Sequence, residues 1–119
     1  MKTVVIVDDT RFMRHMLREI LEQHKLKIVG EAQNGIEAIE MYEKLKPDII
    51  TLDITMPEMD GLEALKAIME KDPNAKAIMV SAVGSKTNIM EAIKSGAKNF
   101  IVKPFNEKKV MDVINSIPG

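Results

Sequence analysis

Thr3-Val4-Val5-Ile6-Val7-Asp8-Asp9 is the stretch that decides the fold. Five β-branched residues in a row, without alternation of polar and apolar side chains, suit a strand buried on both faces. The run stops at two adjacent carboxylates, which cannot enter a dry core unpaired. Four more short runs follow: Lys27–Val29, Asp48–Asp53, Ala77–Ala82 and Asn99–Val102. Between and after them, apolar residues recur at helical spacing. Phe12, Met13, Met16, Leu17, Ile20 and Leu21 form the first stripe. Ile36, Ile39, Tyr42 and Leu45 form the second, and Pro47 bars its extension. Leu62, Leu65, Ile68 and Met69 form the third; Ile89, Ala92 and Ile93 the fourth, before Gly96. Val110, Val113, Ile114 and Ile117 complete the set.

Five strand–helix pairs imply an α/β fold, a doubly wound five-stranded parallel sheet with right-handed crossovers and helices on both faces. The 119 residues fit one domain around one core, residues 1–119. There is no internal repeat, low-complexity tract or interdomain linker. The ending Ser116-Ile117-Pro118-Gly119 reads equally as a natural terminus or the start of a linker.

Composition narrows the function. A net charge of -1, from 17 basic and 18 acidic residues, gives no overall basic field for nucleic acid or an anionic membrane. The absence of cysteine excludes disulfides, thiolate metal sites and cysteine nucleophiles. No run approaches the roughly 18 apolar residues of a membrane helix, and the N-terminus lacks a secretory pattern. A cytoplasmic protein is the expectation. The ten methionines are expected to fill gaps in the core.

A doubly wound sheet places its functional crevice at the carboxyl ends of its strands. Asp8 and Asp9 follow the first strand, Asp53 ends the third, Ser81 lies near the end of the fourth, and Lys103 follows the fifth. One rim thus receives three carboxylates, a hydroxyl and an ammonium. Neighbouring carboxylates repel unless a cation or a proton compensates them. An oxygen-only ligand set favours Mg²⁺, Mn²⁺ or Ca²⁺, and Mg²⁺ also accepts phosphate oxygens. A carboxylate can be a phosphoryl acceptor, and the transferred group needs its equatorial charge neutralised. Lys103 offers a point charge for that, and Ser81 a hydrogen bond.

Singly, each residue has a plainer reading. Asp8 and Asp9 suit a helix N-cap, Asp53 a solvated strand end, Ser81 a turn and Lys103 a surface charge. Their joint placement on one rim favours a shared site. His15 and His24 lie nine residues apart, so they face opposite sides of a helix and read as solvated. Lys108 and Lys109 read as a solvated face.

Four segments carry a family resemblance: Val4-Val-Ile-Val-Asp-Asp9, Asp53-Ile-Thr-Met-Pro-Glu-Met-Asp-Gly61, Ser81-Ala82 and Lys103-Pro-Phe105. In order and spacing, the chain resembles the receiver domains of two-component response regulators over nearly its whole length. It is most like the single-domain chemotaxis members. The resemblance implies a flavodoxin-like (βα)5 fold with strand order 2-1-3-4-5. It implies Asp53 as phospho-acceptor, with Mg²⁺ on Asp9, Asp53 and the Thr55 backbone carbonyl, and Asp8 acting through water. It implies Lys103 and Ser81 at the phosphoryl group, a cis peptide before Pro104, and Phe100 as a switch residue. Two positions depart from the commonest pattern. Ser81 stands where Thr is more frequent, and Phe100 stands where chemotaxis members often have Tyr, so the ring lacks a hydroxyl.

The functional expectation is a monomeric switch and not an enzyme acting on an external substrate. A histidine kinase would be its phosphodonor, a flagellar motor switch protein its target, and a phosphatase a further partner. Alternatives are a phosphorelay intermediate, or the receiver of a larger DNA-binding regulator. A Mg²⁺-dependent phosphatase with an aspartyl nucleophile is disfavoured, because Thr55 stands where such enzymes need a second acid.

Overall fold

The computed structural model describes residues 1–118. Five strands and five helices alternate: β1 (Thr3–Val7), α1 (Arg11–Gln23), β2 (Lys27–Ala32), α2 (Gly35–Leu45), β3 (Ile49–Leu52), α3 (Gly61–Lys71), β4 (Ala77–Ser81), α4 (Lys86–Lys94), β5 (Asn99–Val102) and α5 (Glu107–Ser116). All strand pairs are parallel, in the order β2-β1-β3-β4-β5. The fold is the doubly wound parallel sheet that the residues imply, with the flavodoxin-like strand order that the family resemblance implies.

Alternate residues of each strand feed opposite layers. Val5, Val7, Ile50, Leu52, Ala77 and Met79 pack with α2, α3 and α4. Val4, Ile6, Ile49, Ile78, Val80 and Ile101 pack with Leu17 and Leu21 of α1 and Val110, Met111 and Ile114 of α5. Central strands buried on both sides explain the uninterrupted apolar runs. Met79, Met56 and Met111 are buried, and Met41, Met59 and Met69 pack against the core, whereas Met1 and Met90 are exposed. Core filling therefore accounts for most of the methionines, not all.

Two expectations need correction. First, β2 runs through Ala32 and not only to Val29. Gly30, just past Val29, is a point of close packing: an added Cβ would lie 3.0 Å from Leu45 Cδ1 and 3.1 Å from Met41 Sδ. The strand gives up a side chain there so that α2 can approach. Second, the buried edge of α1 is displaced from the sequence stripe. Leu17 and Leu21 are buried, but Phe12 is 70% exposed. A stripe of adjacent apolar pairs is wider than the strip a sheet can cover. Similarly, α2 buries Ala38 and Tyr42 and leaves Ile36 and Leu45 exposed. His24, at the C-terminal cap of α1, is exposed as the sequence reading has it, and its Nε2 lies 2.8 Å from a Glu107 carboxylate oxygen of α5. His15 is exposed and pairs with Glu19 within α1.

Side-chain caps fix where α2, α3, α4 and α5 begin. Asn34, Asp60, Ser85 and Asn106 each accept a hydrogen bond from the backbone N–H three residues on. α1 is the exception, and that exception matters to the site.

Candidate phospho-acceptor and metal site

β1 and β3 are hydrogen-bonded neighbours, so the residues that follow them emerge side by side. Asp8 N–H donates to the Ala32 carbonyl (3.1 Å), and Asp53 N–H to the Val7 carbonyl (3.0 Å). These bonds lock the two loop starts to the sheet. Asp8, Asp9 and Asp53 consequently offer carboxylate oxygens within 4.8 Å of one another. Asp8 and Asp53 are buried and Asp9 is exposed.

Asp8 is not the N-cap of α1. The cap position is Thr10, and its side chain makes no capping bond. Instead Asp8 Oδ1 accepts from Thr10 N–H (2.9 Å) and from the Thr10 hydroxyl (3.0 Å). The plain capping reading of the aspartate pair therefore fails, and both side chains stay at the rim.

Lys103 crosses the rim from the end of β5. Its Nζ lies 2.6 Å from Asp8 Oδ2 and 3.0 Å from Asp53 Oδ2. Burial works against the charged ammonium, but hydrogen bonds and charge from Asp8 and Asp53 outweigh it and raise the lysine's pKa. One ammonium does not balance three carboxylates. Desolvation, then the charges of Asp8 and Asp53, hold the Asp9 carboxyl above its ordinary value. Asp53 Oδ1 is buried and has no hydrogen-bond partner among the described residues. A buried carboxylate oxygen left bare is costly, and here it belongs to an acidic cluster with oxygen-only donors. That donor set fits a hard divalent cation such as Mg²⁺.

The other sequence candidates occupy different positions. Ser81 is the last residue of β4 and is 1% exposed. Its Oγ accepts from Val83 N–H at 3.3 Å, so the hydroxyl is engaged in its own loop. Thr55 is exposed on the β3–α3 loop. The Lys103–Pro104 peptide is cis. Phe100 is half-buried on β5 and packs against the α2–α3–α4 side of the core. It also borders a cavity of about 350 Å³ with Val102, Lys109 and Val113.

Sequence reasoning quoted Gly61 within a motif without giving it a role, and missed Arg14 and Glu31. Gly61 N–H donates to the Ile54 carbonyl (2.8 Å), folding the β3–α3 loop back under Asp53. Arg14 Nη1 donates to the Asp8 carbonyl (2.7 Å), and Glu31 holds Arg14 through its Nε (2.9 Å). One signal was available for the last two. Glu31 is the one acid within β2, and Arg14 and Arg18 are spaced i, i+4 on the preceding helix.

A doubly wound sheet with three clustered aspartates and a bridging lysine at its carboxyl edge defines a class, the phospho-accepting receivers of two-component signalling. The chain belongs to that family: residues 4–115 match the response regulator receiver domain. It is 54% identical to chemotaxis protein CheY of Thermotoga maritima, covering 98% of this chain and 97% of that protein. CheY of Bacillus subtilis is 49% identical, covering 94% and 93%. Among solved structures, a CheX–CheY–BeF3–Mg²⁺ complex from Borrelia burgdorferi superposes with a TM-score of 0.95 at 42% identity, covering 97% of this chain and 87% of that one.

Proposed function

We propose that this protein is a phosphorylation-activated switch in which Asp53 accepts a phosphoryl group from a histidine kinase. The observation that carries the reading is the Asp53 carboxylate, with one oxygen held by Lys103 and the other buried and free. An Asp53 oxygen attacks phosphorus, a P–O bond forms, and the P–N bond to the donor histidine breaks. The imidazole leaves with the electron pair. Lys103 has its Nζ beside Asp53 and can follow charge onto the new phosphoryl oxygens. Asp9, Asp53 and the Thr55 carbonyl would hold Mg²⁺ directly, and Asp8 through water. The ion would supply charge neutralisation for the phosphoryl oxygens.

The new group carries about −1.5 to −2 charges at neutral pH. It draws Lys103 and the Ser81 hydroxyl toward it, and withdrawal of Ser81 frees space on the side of Phe100. The exposed apolar residues Met90, Ile93 and Val102 extend this face. The phosphorylated state then binds a target, which we assign as a flagellar motor switch protein from the likeness to chemotaxis proteins. The protein acts on itself and does not turn over an external substrate. The family's kinship with proteins seen bound to BeF3 and Mg²⁺ supports the cofactor.

Acetyl phosphate with Mg²⁺ should add one phosphoryl group, about 80 Da, to the intact protein. Asp53→Asn should remove the adduct, because an amide is a poor nucleophile. An undiminished adduct in Asp53→Asn would overturn the assignment.

A further inference from the structure

We infer that Arg14, held in place by Glu31, is a positioning residue for the metal site: it fixes the β1–α1 turn that carries Asp8 and Asp9. The inference rests on reading the acidic cluster as a divalent-cation site. The geometry is specific. Arg14 is nearly buried, with 12% of its side chain exposed. It divides its guanidinium between two acceptors, the Asp8 backbone carbonyl at 2.7 Å and Glu31 Oε1 at 2.9 Å. Glu31 sits opposite Ile6 on the neighbouring strand, one residue before the Ala32 carbonyl that accepts from Asp8 N–H. Its other oxygen takes Arg18 Nε at 2.9 Å.

The Asp8 peptide is thus held at both ends: its N–H by β2, and its carbonyl by an arginine anchored to β2. Such a tether is needed at this turn. Thr10 provides no side-chain cap, so α1 does not fix its own start. Asp9, next in the chain, is exposed, and its carboxylate lies close to those of Asp8 and Asp53, like charges that repel it. Without the arginine, the turn can relax and separate the carboxylates, and a cation site then has to be assembled at binding.

Electrostatics alone predicts the opposite sign, which makes the proposal testable. Arg14 is a cation near the cluster, so its removal should tighten binding of Mg²⁺ if charge is all that matters. If it positions the turn, its removal should weaken binding. Isothermal calorimetry of Mg²⁺ binding, in protein not exposed to phosphodonor, measures this directly. Arg14→Gln should weaken Mg²⁺ about tenfold or more, the range typical of groups that orient metal ligands. Arg14→Lys keeps the charge, cannot bridge both acceptors, and should also weaken it. Arg18→Gln removes a bond to the same Glu31 without touching Asp8, and should leave Mg²⁺ affinity within about twofold. Circular dichroism establishes folding of each variant, and Arg14→Lys carries the test if Arg14→Gln does not fold. Unchanged or tighter Mg²⁺ binding by a folded Arg14 variant overturns the inference. Equal weakening by Arg18→Gln also overturns it, since the network as a whole would then matter and not the Asp8 tether. Failure of the parent to bind Mg²⁺ would overturn the metal-site reading itself.

Discussion

Gly61 and Thr51 show how single residues next to Asp53 are constrained. A Cβ on Gly61 would lie 1.8 Å from the Asp53 carbonyl oxygen, so the α3 N-terminus can approach the end of β3 only with glycine there. That glycine stands in the motif read from sequence, and its role is steric. Thr51 is different. It lies two residues before Asp53, on β3, beside Ile6 and Ile78, and is 2% exposed. Its hydroxyl has no hydrogen-bond partner among the described residues. A buried unpaired hydroxyl costs about 1–3 kcal/mol, and nothing in the rim chemistry uses it. Thr51→Val should therefore stabilise the fold by about 1 kcal/mol, raising the thermal midpoint by about 3 °C. A lower midpoint would mean that the hydroxyl has a partner in solution. This feature was illegible in sequence, because threonine is an ordinary strand residue and pairing depends on which neighbours face it.

At the level of elements, chain order and polarity were readable and helix phase was not. Buried central strands leave a continuous apolar record, while the edge strand β2, only partly buried, shows in the sequence over half its length. The α1 stripe of adjacent apolar pairs does not say which edge the sheet covers. Exposure of Phe12 resolves it. Phe12→Ala should cost less than about 1 kcal/mol, against about 3–5 kcal/mol for a buried Phe; chemical denaturation measures the difference. The α1–β2 junction carries a second consequence. Burial disfavours the Glu31 carboxylate, but bonds and charge from Arg18 and Arg14 outweigh this and hold its pKa below the ordinary value. A carboxylate depressed on folding contributes stability above its unfolded pKa and loses it as pH falls through the folded value. Parent protein should thus exceed Glu31→Gln in stability at pH 7, with the gap closing below about pH 4. A gap that does not change with pH would show that the pair is electrostatically idle.

Over the whole molecule, the site is assembled from three strand ends, those of β1, β3 and β5, that are far apart in the chain, and the sequence discloses it only once topology orders the strands. Asp8, Asp9, Asp53 and Lys103 were legible because the switch-point rule acts on strand termini. The Arg14–Glu31 tether was not, because it depends on side-chain reach between α1 and β2. The sheet holds three carboxylates against one ammonium, so the cation-free fold carries repulsion that its packing must overcome. Two expectations follow for thermal unfolding. Mg²⁺ at ten times its dissociation constant should stabilise the parent by about 1.4 kcal/mol. Asp9→Asn should abolish that response, because it removes a proposed ligand, yet it should raise the midpoint of the cation-free protein at neutral pH. The sign follows from the raised pKa of Asp9. A carboxyl whose folded pKa lies above its unfolded value binds its proton more tightly when folded, so its contribution becomes unfavourable as pH rises through that window. The advantage of Asp9→Asn over the parent should accordingly be small near pH 3.5 and grow toward pH 7. Melting curves across that range, with chelator present, decide the matter. An advantage that shrinks with rising pH would show that Asp9 is stabilised as an anion by its neighbours, and that the cluster is not held under repulsion.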